Sequence, residues 1–191
     1  MRHTCDLGTD AIRVFLSSSM HDRPSLDLRR ALKTFLDRFE MIDCRIIEKT
    51  SDGNPVRAAY TDQVLRADLM LLVLEGDRRE GVVDEFRYAR SLGKEILGFH
   101  RLEGASDELK DFLHQEVFAV DDAQDGITCA PFTSHGELLD LIEESLLGQM
   151  SQGYKHVLQE RKARRRETMG LGTTPGMIGG GLRSGGLGGG S

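Results

Sequence analysis

The sequence predicts an α/β fold: a three-layer, flavodoxin-like parallel sheet of strand order 2-1-3-4-5 with flanking helices. Three observations carry this expectation. Short apolar runs alternate with amphipathic segments at the spacing of βα units. One run, DLMLLVLEG (68–76), is apolar on both faces, as a central parallel strand must be. With 39% hydrophobic residues in 191, the chain can bury one core of ordinary domain size and still carry an appendage.

The elements follow in order. AIRVFLSS (11–18) is the first strand. A helix starts near Ser25, the expected N-cap, and carries Leu28, Ala31, Leu32, Phe35, Leu36 and Phe39 at helical spacing. DCRIIE (43–48) is a second, weaker strand. PVRAAYTDQVLRA (55–67) is the second helix, with Pro55 acceptable in its first turn. After the central strand comes GVVDEFRYARSLGKE (81–95), a helix stopped by Gly93, and then the fourth strand, KEILGFH (94–100). SDELKDFLHQEV (106–117) opens on Ser106 and two acids, as a helix N-terminus should. A fifth strand lies within ITCAPF (127–132). SHGELLDLIEESLLGQM (134–150) closes the fold as a helix that extends through YKHVLQERKARRRE (154–167). The expected organisation is an N-terminal arm (1–10), the α/β domain (11–150), a basic C-terminal helix extension (151–169) and a disordered glycine-rich tail (170–191). The tail has too few apolar groups to offset the entropy of ordering it.

Composition excludes several classes. A formal charge of -6 argues against general nucleic-acid binding, and the basic run RKARRR suits a solvated helix end, where cations meet the macrodipole. Cys5, Cys44 and Cys129 are odd in number and far apart, so neither a disulfide framework nor a paired metal site is expected; a reducing cytoplasm is the expected setting. No HxxxH or HExxH spacing occurs, so no metal site is expected, and no bound cofactor is expected either. No run approaches the ~20 apolar residues of a membrane span, and the N-terminus lacks an apolar signal core. Phosphate-loop, GxGxxG and GxSxG patterns are missing after the strands.

In a sheet of this order, ligands bind outside the carboxyl ends of the strands, at the switch point between strands 1 and 3. Two loops meet there. SSSMHDRPS (17–25) offers Ser17, Ser18, Ser19, Asp22 and Arg23; EGDRREG (75–81) offers Asp77, Arg78 and Arg79. The helix that follows holds the main anomaly. On a wheel of ~100° per residue, Val82, Val83, Phe86, Ala89 and Leu92 form an apolar stripe, while Asp84, Arg87 and Ser91 face water. Glu85 falls between Ala89 and Leu92, on the buried side. As an acid in a first turn it could serve the helix dipole, or pair with Arg79 or Arg13. The dipole accounts for an acid but not for its inward face, which Asp84 avoids.

RVFLSSSMHD followed by a helix, together with ADLMLLVLEGD and GVVDEFRYARSLGKEILGF, resembles the Toll/interleukin-1 receptor (TIR) superfamily, in particular a bacterial TIR-like family of otherwise unknown function that often stands at the N-terminus of larger defence or signalling proteins. The likeness spans residues 11–148. Val14 to Asp22 match that family's first-strand motif, Asp68 its acidic start to the third strand, and Glu85, Ala89, Gly93 and Lys94 its helix-to-strand motif. Glu95 stands where the family often has proline. Nucleoside 2-deoxyribosyltransferases carry a related motif. Gly81 and Glu85 match it, but Val82 replaces a threonine and Arg87 a glycine. In both groups the corresponding glutamate acts at an N-glycosidic bond. The resemblance thus implies Glu85 as the catalytic group, with NAD or a related nucleotide as substrate rather than cofactor. Ser17, Ser18, Ser19, Asp22, Arg23, Asp77 and Arg78 (or its neighbour Arg79) are the implied binding residues. It also implies a homo-oligomer and a partner effector or sensor protein, or alternatively a self-assembly or nucleotide-sensing module without turnover.

Overall fold

The computed structural model describes residues 11–47, 56–118 and 127–168. The expectations for the N-terminal arm, for Pro55 and for the glycine-rich tail fall outside those residues. Among the described residues five strands alternate with five α-helices: β1 (Ile12–Ser17), α1 (Arg23–Leu36), β2 (Ile42–Arg45), α2 (Val56–Arg66), β3 (Leu69–Leu74), α3 (Glu80–Ser91), β4 (Glu95–His100), α4 (Asp107–Phe112), β5 (Cys129–Pro131) and α5 (His135–Thr168). All pairings are parallel and the sheet order is β2-β1-β3-β4-β5, the order expected from the sequence.

Strand alternation separates two apolar layers. Leu69, Leu71 and Val73 of β3 join Val14 and Leu16 of β1 on one face, packed by Leu28, Leu32 and Leu36 of α1 and Leu138, Ile142 and Leu146 of α5. Met70, Leu72, Leu74 and Phe15 point the other way, into Val64 of α2, Phe86 and Ala89 of α3, and Leu109 and Phe112 of α4. Every residue of β3 is buried, as its unbroken apolar run requires.

Three of the motif residues, Asp68, Gly93 and Lys94, have structural duties. Asp68 receives three hydrogen bonds from Arg13, at 2.9 Å from the main chain and at 3.2 and 2.9 Å from the guanidinium, clamping the start of β1 to that of β3. Gly93 takes φ +64° to end α3, where only glycine sits without strain. Lys94 then donates to the carbonyls of Leu65 and Ala67, at 2.8 and 2.6 Å, capping α2.

Several boundaries differ from expectation. The N-cap of α1 is Asp22 rather than Ser25, and Asp22 accepts from the Ser25 amide at 2.8 Å. On α1, Ala31 is exposed and Arg29 lies buried in its place. Leu92 is 37% exposed because it caps α3 instead of extending its stripe. The expected fourth helix is α4 plus a π-helical turn at Leu113–Val117. The chain divides into two compact units, Met1–Leu146 and Leu147–Ser191; the described part of the second is helical through Thr168, with Tyr154 and Val157 exposed. No described helix is long and apolar enough to cross a membrane.

Gly98 of β4 lies opposite Cys129 of β5, and a methyl group on Gly98 would overlap the Cys129 thiol and press on Ile127. Gly98→Ala should cost about 1–3 kcal/mol, read as a lower urea midpoint, and adding Cys129→Ala should recover most of it.

Candidate active site

The carboxyl ends of β1 and β3 assemble the site. Ser17, the last residue of β1, shares the parity of Phe15, whose side chain packs with α3, and Ser18 follows just outside the strand, its carbonyl oxygen and hydroxyl 2.8 and 3.5 Å from Arg29 of α1. From α3, the inward stripe of Val82, Val83, Phe86 and Ala89 carries Glu85 with it, 5% exposed. Ser17 Oγ donates to Glu85 Oε2 at 2.5 Å, within the range of a hydroxyl bonded to a carboxylate. Neither of the ion pairs open to Glu85 in the sequence forms. Arg79 pairs with Asp77 at 2.8 Å and Arg13 with Asp68 at 2.9 Å.

Burial dominates the ionisation of Glu85, pushing its pKa up to about 7; the Ser17 hydrogen bond and the charge of Arg29 pull it down, and Asp84 raises it slightly. Arg29 is 2% exposed and donates through Nη1 to the Ser18 carbonyl oxygen at 2.8 Å. A carboxyl group poised near neutrality can serve as a nucleophile, a stabiliser of positive charge or an acid, according to pH.

The other sequence candidates divide into two groups. Ser19, Asp77, Arg78 and Arg79 line one small cleft with Glu75, Val82, Leu109 and Phe112. Its volume of about 10 Å³ is room for a single water. Arg78 is paired with Glu80 at 2.7 Å in that loop. Asp22 and Arg23 lie elsewhere. The cap bonds from Ser25 occupy Asp22 and hold its carboxyl below the usual range, while Arg23 approaches Asp27 at 3.7 Å along α1. Ser18 is buried with its carbonyl engaged by Arg29.

The same edge of the sheet holds groups that periodicity did not single out. Glu75, at the end of β3, binds Arg101 at 3.0 Å and sits 3.4 Å from His135 Nε2. His100 ends β4, buried, with burial lowering its pKa and its ring edge-on to Phe118 at 5.2 Å. Among the described residues no cluster of His, Cys, Asp and Glu could hold a metal ion.

This geometry defines a class, an α/β domain with a buried, hydrogen-bonded carboxyl group at the switch point of its parallel sheet. No protein-family model and no curated protein matches the chain. Its fold is similar to those of several solved structures, among them three bacterial proteins. One is the CMP N-glycosidase of Clostridium botulinum, with 16% identity and TM-score 0.48 over 69% of this chain and 98% of that one. Another is a conserved protein of Enterococcus faecalis, with 14% identity and TM-score 0.45 over 71% and 99%. The third is a 2-deoxyribosyltransferase of Bacillus psychrosaccharolyticus, with 13% identity and TM-score 0.42 over 66% and 90%. Overlap at this level carries no weight for substrate or reaction.

Because the folded pKa of Glu85 lies above its unfolded value, folding favours the proton. Stability is therefore highest where the group is neutral in both states, and it falls as pH rises from 4.5 through 7. The wild type should lose up to ~3 kcal/mol relative to Glu85→Gln across that window. Thermal melts of both proteins from pH 4 to 8 measure this difference, which should be flat at either end.

Proposed function

We propose that the domain cleaves the N-glycosidic bond of a nucleotide, with Glu85 as the catalytic carboxylate and NAD as the favoured substrate. One observation carries the reading: a carboxylate is buried and held by a serine hydroxyl where a sheet of this order receives ligands. Cleavage builds positive charge on C1′ and the ring oxygen of the sugar. An ionised Glu85 meets that charge, either electrostatically or by bonding to C1′. Low local dielectric strengthens the interaction. The glycosidic electron pair leaves with the base; in NAD this neutralises the pyridinium ring, so no general acid is needed. Water then bonds to C1′ and releases one proton. The resemblance to TIR-like and deoxyribosyltransferase sequences supports the same role for the same residue.

Ser19, Asp77, Arg78 and Arg79 are the residues this reading assigns to the sugar and phosphates, since guanidinium matches phosphate geometry. Asp22 and Arg23 act by shaping the start of α1. Glu85 and Ser17 do not line the water-sized cleft, so this reading requires the neighbouring loops to move before a nucleotide reaches the carboxylate. The separation of Glu85 from that cleft favours a second reading, an interaction module that self-associates or meets an effector or sensor without turnover.

Incubation with NAD, nucleoside monophosphates and deoxynucleosides, followed by mass spectrometry of released base, separates the two. Glu85→Gln should reduce base release at least ~100-fold, and wild-type activity should rise with pH through about 7 as the carboxyl ionises. Equal rates in wild type and variant would remove Glu85 from the chemistry.

A further inference from the structure

The closing helix changes character along its length. Leu138, Ile142 and Leu146 of α5 belong to the core. From Leu147 to Arg165 no side chain of α5 is buried, and Leu147, Tyr154 and Val157 are 54, 65 and 42% exposed. That stretch also contains Gly148 and Gly153, poor helix formers. In water a helical segment of this kind is marginal unless one of its faces is packed.

One face of α5 is patterned for packing. Steps of three and four residues, the heptad seam of a helix pair, join an acidic end (Asp140, Glu143), an apolar middle (Leu147, Met150, Tyr154, Val157) and a basic end (Arg161, Arg164). Met150 is half-buried and the others are exposed. The surrounding charge follows the same gradient. Residues 135–154 carry four acids and no lysine or arginine, whereas 155–166 carry six cations and one acid.

Reversing this order produces its own complement. About a two-fold axis at Gln152, Leu147 stands opposite the second copy's Val157, and Met150 opposite its Tyr154. Glu143 then meets Arg161, and position 140 meets position 164. A parallel pair would instead set acid against acid and guanidinium against guanidinium. An anionic lipid or nucleic-acid surface would suit the basic end of the seam and be repelled by its acidic end; a reversed copy suits both.

We propose that α5 pairs with α5 of a second copy of this chain in an antiparallel, two-fold coiled coil over residues 140–164. At 1.5 Å per residue the seam is about 36 Å long. The interface is isologous, so one set of residues supplies both sides. Its apolar middle supplies the attraction, and its charged ends fix direction and register. The pairing is independent of the role assigned to Glu85, which lies on α3.

Sedimentation of the full chain over a roughly hundredfold range of concentration tests the pairing, and wild type should show a monomer–dimer equilibrium. Glu143→Arg and Arg161→Glu should each weaken the dimer at least about tenfold, because each opposes like charges. Combined in one chain, they should return its affinity to within about threefold of wild type, since each position again meets its opposite. A parallel pair would gain nothing from the combination. Tyr154→Asp places an acid twice in the apolar middle and should abolish the dimer, with a loss of helical circular dichroism. All three sites are exposed, so thermal unfolding of the α/β domain should be unchanged in every variant. A wild type that stays monomeric throughout, whether or not it binds anionic vesicles, overturns the proposal. So does a dimer that survives Tyr154→Asp, or one whose combined charge variant is no tighter than the single ones.

Discussion

Successive residues of a strand must face opposite ways, and at the end of β1 that constraint arranges everything else. Ser17 reaches Glu85 of α3 with its hydroxyl, and the carbonyl of Ser18, the first residue past the strand, accepts from Arg29 of α1, so adjacent residues hold a carboxylate's donor and a guanidinium's acceptor. Shifting β1 by one residue would turn Ser17 away from Glu85, carry the Ser18 carbonyl off Arg29 and strand two charges in apolar layers. The pairing of Val14 with Leu69 and of Ser17 with Leu72 therefore supports the site as much as the core. The Arg13–Asp68 clamp at the other end of the strand holds the same register.

The architecture was legible because it rests on periodicity. A run of six apolar residues, too short for a buried helix and closed by Gly76, fits a strand covered on both faces, and β3 is one. Alternation elsewhere then leaves few ways to order the sheet. Departures lie where local chemistry outranks period. Asp22 takes the cap of α1 because its side chain reaches the Ser25 amide, a geometry that a hydrophobic wheel does not score. Leu92 faces inward on the wheel, but α3 has already ended there.

Glu85 was legible by its inward place on α3. Arg29 carries the same signal on α1: it lies closer than Ala31 to the stripe of Leu28, Leu32 and Leu36, and a charge there is as anomalous as Glu85. Hydrophobicity alone favours Ala31, because it ignores that a long arginine chain can lie along apolar surface. The loop residues are harder to place from sequence. Asp77, Arg78, Arg79 and Glu80 put two acids around two cations, and which pairs form depends on the turn after Gly76, not on any spacing visible in the sequence.

The contact between Gly98 and Cys129 also has a chemical consequence. Burial pushes the Cys129 thiol up to about 12, and while β5 is docked the sulfur rests against a strand with no side chain opposite it. Alkylating reagents attack the thiolate, which is scarce under those conditions. A three-residue strand at the sheet's border is the element with the least ladder to lose on opening. Cys129 is part-buried, so an increase in its alkylation above the docked rate reports fraying of that border without an introduced cysteine.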